Sequence, residues 1–326
     1  MAKLSVRTES WPIRGVFRIS RGSKTTAEVV VAEIRDGDLV GRGECVPYRR
    51  YGETVEGVVS AIEQLVPQVE AGLDRQGLQT VLPAGAARNA VDVAFWDLEA
   101  KRAGRRVWEL AGLPAPGPVT TAFTLSLGPI EEMAAAAAKA AHCPLLKLKV
   151  GGEEDIERVA AVRRAAPASR LIVDANEAWT LEQLQRFAPA LHELGVVMIE
   201  QPLHADRDEV LLGYRGPVRL GADESCHDTA SLAHCKGRYD IVNIKLDKTG
   251  GLTEALKLRA AAQAQGFSIM VGCMVGTSLA MAPAHLVGQG VEFVDIDGPL
   301  LLAEDRKPGL RLDGTTVYPP DAALWG

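Results

Sequence analysis

Leu145-Leu146-Lys147-Leu148-Lys149, Leu171-Ile172-Val173-Asp174, Val196-Val197-Met198-Ile199-Glu200, Leu220-Gly221-Ala222-Asp223 and Ile241-Val242-Asn243-Ile244-Lys245 are five short apolar runs, each closed by an ionisable residue. The closing residues stand 25, 26, 23 and 22 positions apart. That interval accommodates one strand, one helix and two short loops, the unit of a parallel β/α barrel whose strand C-termini all open on one face. Three carboxylates and two amines, remote in sequence, are thereby predicted to meet in one place.

The same beat extends in both directions. Strands are expected at residues 121–127, 145–150, 171–174, 196–200, 218–223, 241–245, 268–272 and 292–296, enough to close a ring. Helical patterns lie between them at residues 154–166, 181–194 and 252–265, the last stopping before Gly266 as a helix C-terminus does. Upstream, residues 3–44 read as antiparallel strands around the turn Asp36-Gly37-Asp38, and helical patterns follow at 54–69 and 86–102. Strands followed by helices outside the repeat indicate a separate α+β unit. The predicted fold class is α/β, a modified TIM-type (β/α)7β barrel (residues 117–300) with an N-terminal α+β capping domain (residues 1–116). A tail, residues 301–326, looks irregular and is expected to fold back onto the capping domain.

Bulk properties agree with this partition and exclude other classes. At 326 residues the chain exceeds the size at which a single core stops growing. With 47% hydrophobic and 24% charged residues it reads as a soluble globular protein. A net charge of −6 without a dense basic cluster disfavours nucleic acid as a partner. Five cysteines, none in a C-x-x-C pair, argue against a disulfide framework or a structural zinc site and for a reducing, cytoplasmic setting. Charges in the first ten residues and the lack of any long apolar run disfavour secretion and membrane insertion.

Asp174, Glu200 and Asp223 close the third, fourth and fifth barrel strands, which are neighbours. One such residue alone suits a helix N-cap; three in succession suit a shared cation. Hard oxygen donors with no convergent His or Cys favour Mg2+. Lys149 and Lys245 close the second and sixth strands, four apart in a ring of eight, and so face each other across the axis. Two amines on opposite faces of a carbon centre can remove a proton from one side and return it from the other. For that work a lysine is expected to be lowered toward neutrality by nearby positive charge, which Lys147 and the metal supply. Lys147, two residues before Lys149, points the same way into the barrel, and burying it calls for an anion, such as a carboxylate that becomes an enediolate as its α-proton leaves.

Together with Asn243-Ile244-Lys245-Leu246-Asp247-Lys248-Thr249-Gly250-Gly251 and Ala86-Ala87-Arg88-Asn89-Ala90-Val91-Asp92, these residues carry a resemblance that spans essentially the whole chain. The sequence resembles the muconate-lactonising subgroup of the enolase superfamily, whose sites use a Lys or His base with magnesium. No histidine stands in residues 269–274, so a His base on the seventh strand is excluded. Asp295-Ile296-Asp297 closes the eighth strand, opposite the metal-bearing fourth, where two carboxylates would attract a cation at the substrate's far end, about 7 Å, or two residues' length, from its metal-held carboxylate. It resembles the mark of dipeptide epimerases, with the aspartates facing a substrate ammonium.

Further similarity to L-Ala-D/L-Glu epimerases lies in Gly272-Cys273-Met274, Thr124 and the loop from Phe17 to Ser23. The resemblance implies Lys149 and Lys245 as acid/base catalysts, Lys147 and Thr124 beside the reacting carboxylate, and Cys273, Asp295 and Asp297 around the peptide. Arg21 is the candidate for the substrate's side-chain carboxylate, with Lys24 close enough to compete, and Tyr51 and Glu53 are placed in a lid. The implied reaction is Mg2+-dependent interconversion of L-Ala-D-Glu and L-Ala-L-Glu by two-base 1,1-proton transfer, serving murein peptide recycling in the cytoplasm, in a chain that family members lead one to expect as a homo-oligomer. The alternatives are an N-acylamino acid racemase, an o-succinylbenzoate synthase, a muconate cycloisomerase or an epimerase of other dipeptides. A non-catalytic ligand-binding barrel stands as the different class.

Overall fold

Long β-rich runs open the chain. In the structure, a computed structural model describing residues 2–326, β1 (Lys3–Ile19), β2 (Gly22–Asp36) and β3 (Leu39–Cys45) form an antiparallel sheet in that order. The two-residue period of β2 explains how this sheet joins two cores. Val30, Ala32 and Ile34 pack on one face, with the helices of the N-terminal unit, while Val29 and Val31 on the other face belong to the cluster that surrounds the barrel. The helix Ala86–Ala103 lies so close to β3 that a Cβ at Gly41 or Gly43 would stand 2.1 Å from the carbonyl oxygen of Ala94 or Ala90. Only glycine permits that approach. The helix expected over 54–69 is two helices, Val55–Glu63 and Val66–Glu70, because Pro67 has no N–H to continue the first and sits in the opening turn of the second.

From residue 119 the chain forms β4 (Val119–Thr120), β5 (Phe123–Leu125), β6 (Leu145–Lys149), β7 (Arg170–Asp174), β8 (Val196–Glu200), β9 (Leu220–Ala222), β10 (Ile241–Ile244), β11 (Ser268–Val271) and β12 (Phe293–Val294). Strands β5 to β12 make one parallel eight-stranded sheet in chain order. The Ala122 N–H donates to the Val294 carbonyl at 2.7 Å, joining its two ends into a ring. Strands β5 and β12 are shorter than expected because side chains replace the ladder at this seam. Ile296 N–H donates to Thr121 Oγ1 at 2.8 Å, and Thr124 N–H to Asp297 Oδ2 at 2.7 Å.

Alternation along the strands sorts the interior into layers. Ala122, Leu145, Ile172, Met198, Ile241, Met270 and Phe293 close the floor as one apolar cluster. Two residues further along the same faces stand Lys147, Asp174, Glu200, Asn243 and Asp295; two further again stand Lys149, Lys245 and Asp297. All of these polar residues are buried. The apolar floor thus carries a charged ceiling at the C-terminal mouth.

The tail, expected to be irregular, carries two short strands. β13 (Leu312–Asp313) and β14 (Thr316–Val317), turned at Gly314, pair with each other, and β14 pairs with β4. The chain end then docks on the long helix, where the buried Trp325 donates through Nε1 to Val93 O at 3.2 Å and Gly326 N–H donates to Asp97 Oδ1 at 2.8 Å. No helix among the described residues is long and apolar enough to cross a membrane.

Candidate active site

Lys149, Asp174 and Glu200 end their strands and Asp223 and Lys245 directly follow theirs, which brings all five to the mouth. Asp174, Glu200 and Asp223, from β7, β8 and the residue after β9, each offer an oxygen, and these oxygens lie within 4.8 Å of one another. Lysines surround them. Lys149 donates to Asp174 Oδ2 at 2.6 Å, Lys245 to Asp223 Oδ2 at 2.7 Å and Lys248 to Asp223 Oδ1 at 2.8 Å. Lys147 Nζ stands 2.8 Å from Asp295 Oδ2, 3.2 Å from Asp174 Oδ2 and 2.7 Å from Glu200 Oε2. The last pair is close but not aligned as a hydrogen bond, so Glu200 Oε2 is a buried acceptor without a donor. Its partner oxygen Oε1 is held by Asn243 Nδ2 at 2.6 Å.

These partners set the ionisation. Burial pushes Asp174 up, but Lys149 and Lys147 overcome it and hold the carboxyl at about 2. Asp223 is driven well below the usual range against its burial by Lys245 and Lys248. Glu200 goes the other way, raised by burial and by the Asp174 charge. At Lys245 burial works to depress the amine, yet the Asp223 and Glu200 charges outweigh burial and raise it. Lys147 is likewise raised, with Asp295, Glu200 and Asp174 overcoming its burial.

The carboxylate cluster fits a hard divalent cation. Its donors are all oxygens, convergent and buried, and one of them, Glu200 Oε2, is ion-paired to Lys147 yet accepts no aligned hydrogen bond. Three clustered negative charges are also what a cation would neutralise.

On the far side, Asp295 Oδ1 is a second buried acceptor without a donor. Asp297 accepts from the Thr124 backbone, and burial together with the Asp295 charge raises it to about 7. Cys273 follows β11, the neighbour of β12, and burial, then Asp297 and Asp295, push its thiol up. Thr124, Lys147, Asp295, Asp297 and Cys273 are therefore gathered at one edge of the mouth. Arg21 comes in from the capping hairpin, with its guanidinium already engaged: Nη1 donates to Asn176 O and Glu177 Oε2, Nη2 to Tyr48 Oη and Glu224 Oε1. Tyr51 lies edge-on to Tyr48 and His227, and Glu53 staples its own loop to the long helix by accepting from Tyr48 N–H and Ala86 N–H.

Sequence reasoning assigned no role to Asn243, Lys248, Gln201, Glu177 or Glu224. Lys248 had a signal, since it follows Lys245 by one helical turn and its amine also caps the Asn243 carbonyl at 2.8 Å. Gln201 had none: at a backbone φ of +34° it holds the N–H groups of Asp223 and Ser225 through one oxygen.

Two family descriptions match in tandem: "Mandelate racemase / muconate lactonizing enzyme, N-terminal domain" over residues 1–112 and "Enolase C-terminal domain-like" over residues 130–322. The chain belongs to the mandelate racemase/muconate lactonizing enzyme family. Within this family it is 48% identical to the L-Ala-D/L-Glu epimerase of Escherichia coli over 313 residues, 95% of this chain and 98% of that one. It is 44% identical to an N-acetyl-D-glutamate racemase from Pseudoalteromonas, across 91% of this chain and 95% of the relative. A crystal structure from Agrobacterium tumefaciens, an enolase family member with homology to dipeptide epimerases, holds sodium and L-Ala-L-Glu with an ordered loop. It superposes with a TM-score of 0.98 at 53% identity over all of both chains. The dipeptide epimerase of Enterococcus faecalis, complexed with Mg and L-Leu-L-Tyr, matches with a TM-score of 0.90 at 30% identity over 98% of this chain and 97% of that one. The expected fold class stands: a mixed α/β enolase-superfamily barrel under an N-terminal cap.

Proposed function

We propose that the protein is a Mg2+-dependent dipeptide epimerase that interconverts L-Ala-D-Glu and L-Ala-L-Glu. The observation that carries this reading is the placement of Lys149 and Lys245. They stand on β6 and just after β10, four strands apart in the ring, each against a different member of one carboxylate cluster. Asp174, Glu200 and Asp223 would hold the divalent cation, which when bound neutralises the charge that builds on the substrate carboxylate as the α-proton leaves.

Lys149 and Lys245 are assigned as the two acid/base groups. One takes the α-proton from the C-terminal residue of the dipeptide, and the other delivers a proton to the opposite face, inverting the centre. Lys147 and Thr124 lie beside the reacting carboxylate, the former as a buried cation. Asp295 and Asp297, with Cys273 next to them, receive the free ammonium, and the unpartnered Asp295 Oδ1 suits that donor. Arg21 serves the side-chain carboxylate. Residues 1–116 act as the specificity cap, 117–300 as the catalytic barrel, and 301–326 as a tail holding the cap. Recycling of murein peptides in the cytoplasm is the corresponding physiological role, and a homo-oligomer is the corresponding assembly.

The test is incubation with each dipeptide in deuterated water with Mg2+, following the α-hydrogen by NMR and the epimers by chromatography. Deuterium should enter the C-terminal α-position while the epimers equilibrate. N-acetylglutamate, which has no ammonium for Asp295 and Asp297, should react far more slowly. Equal turnover of N-acetylglutamate would replace the dipeptide reading, and no α-exchange with either dipeptide would remove it.

A further inference from the structure

Directly after β7, Asn176 and Glu177 adopt left-handed backbone angles (φ 45° and 69°), an arrangement that non-glycine residues hold only where their surroundings over-determine it. What surrounds Glu177 is a set of donors from three loops. Its Oε2 accepts from Arg50 Nε at 2.6 Å and Arg21 Nη1 at 3.0 Å; its Oε1 accepts from Arg50 Nη2 at 2.7 Å and Ala205 N–H at 2.9 Å. The side chain is only 3% exposed, so this carboxylate is spent entirely on these contacts.

Arg21 sits at the tip of the β1–β2 hairpin and Arg50 in the 48–53 loop, both on the cap, whereas Glu177 and Ala205 belong to the barrel. Ser20 Oγ supports the same docking by donating to Asn176 O at 3.2 Å. The grip also fixes which part of Arg21 is left for another ligand. Nη1 is saturated by Asn176 O and Glu177, and Nη2 is shared between Tyr48 and Glu224 at 2.8 and 2.6 Å. With both Nη1 hydrogens engaged, a further carboxylate gains Arg21 only along the Nε and Nη2 edge, in competition with Glu224.

We propose that Glu177 is a positioning residue for the site: it docks the hairpin and the 48–53 loop onto the barrel mouth and orients Arg21 toward the C-terminal side chain of the substrate. For its substrate arm the proposal rests on the epimerase reading above. Glu177 touches no reacting atom, so its loss acts on closure and on binding, not on proton transfer.

The first readout needs no substrate. In Glu177→Gln, amide hydrogen exchange across residues 17–23 and 48–53 should accelerate about tenfold or more, the size expected when charge-assisted hydrogen bonds to a buried carboxylate are lost. Exchange in Leu145–Lys149 and Val196–Glu200 should stay as in the wild type. Unchanged exchange in both loops would overturn the proposal, as would equal acceleration in the barrel strands. The second readout is kinetic. KM for L-Ala-L-Glu should rise about tenfold with kcat within about twofold, and the rise should shrink when Glu177→Gln is made in an Arg50→Gln background. A fall in kcat at constant KM, or fully multiplicative effects, would refute the docking role. Should Glu177→Gln fail to fold, Arg50→Gln alone reads the same contact from its more exposed end. If the wild type does not turn over L-Ala-L-Glu, the substrate reading fails, while the exchange experiment still decides the role of Glu177.

Discussion

Asp247 offers a quantitative test of how the cap is fastened to the barrel. It follows Lys245 by two residues and is buried, and its Oδ1 accepts from Val46 N–H at 3.0 Å and Asn89 Nδ2 at 2.8 Å, both from the cap. Burial raises its carboxyl to about 7, only partly offset by these two donors. A raised acid favours the neutral form in the folded state, so its contribution to stability is fully present below the unfolded value, near 4, and is lost as pH rises through about 7. Three units correspond to about 4 kcal/mol at most, of which about 2 to 3 kcal/mol falls between pH 5 and pH 8. Asp247→Asn keeps the Oδ1 acceptor, and Asp247 lines a cleft of about 610 Å³ into which the new amide can hydrate. The variant should therefore be more stable than the wild type at pH 8, with an advantage about 2 to 3 kcal/mol smaller at pH 5. Denaturation of both proteins in matched buffers measures this. An Asn variant whose difference from the wild type does not change with pH, or grows as pH falls, would refute the assignment of a largely neutral carboxyl at this junction.

Other consequences concern the mouth. Lys149→Gln and Lys245→Gln should each lower epimerisation by about 10²-fold to 10⁴-fold, the range for a positioned acid or base. Each should keep α-hydrogen exchange with one epimer of the dipeptide, and a different one in each variant; NMR showing the same epimer exchanging in both would end the two-face scheme. Asn243→Ala removes the donor that orients Glu200, and should weaken Mg2+ binding about 10-fold to 100-fold in calorimetric titration. Unaltered affinity would show that Glu200 needs no such support.

Much of the site was legible because a strand period of two and a repeat of about 24 residues are both written linearly. The closing residues Lys149, Asp174, Glu200, Asp223 and Lys245 announce themselves once the barrel is assumed, and the structure brings them together. Asp295 and Asp297 were legible for the same reason. Glu177 was not: a glutamate after Asp174-Ala175-Asn176 has no periodic signature, and its role depends on Arg21 and Arg50, 156 and 127 residues away. The charge balance at Lys245 was hidden for a related reason. Sequence shows that positive charge is near, but the sign of the shift depends on Asp223 lying 2.7 Å from the amine.

The tail marks the same boundary, since its strand β14 pairs with β4, nearly two hundred residues earlier, and an edge of two residues offers no pattern to read. By itself, then, the order of residues determined which side chains face the barrel axis and at what height, because alternation and repeat length are local properties of the backbone. Only the folded chain decided which of those side chains pair, which acceptors are left without a donor, and how the cap is held over the mouth. Those outcomes depend on distances of a few ångströms between segments that share no local geometry, and on the balance of burial against charge at each contact.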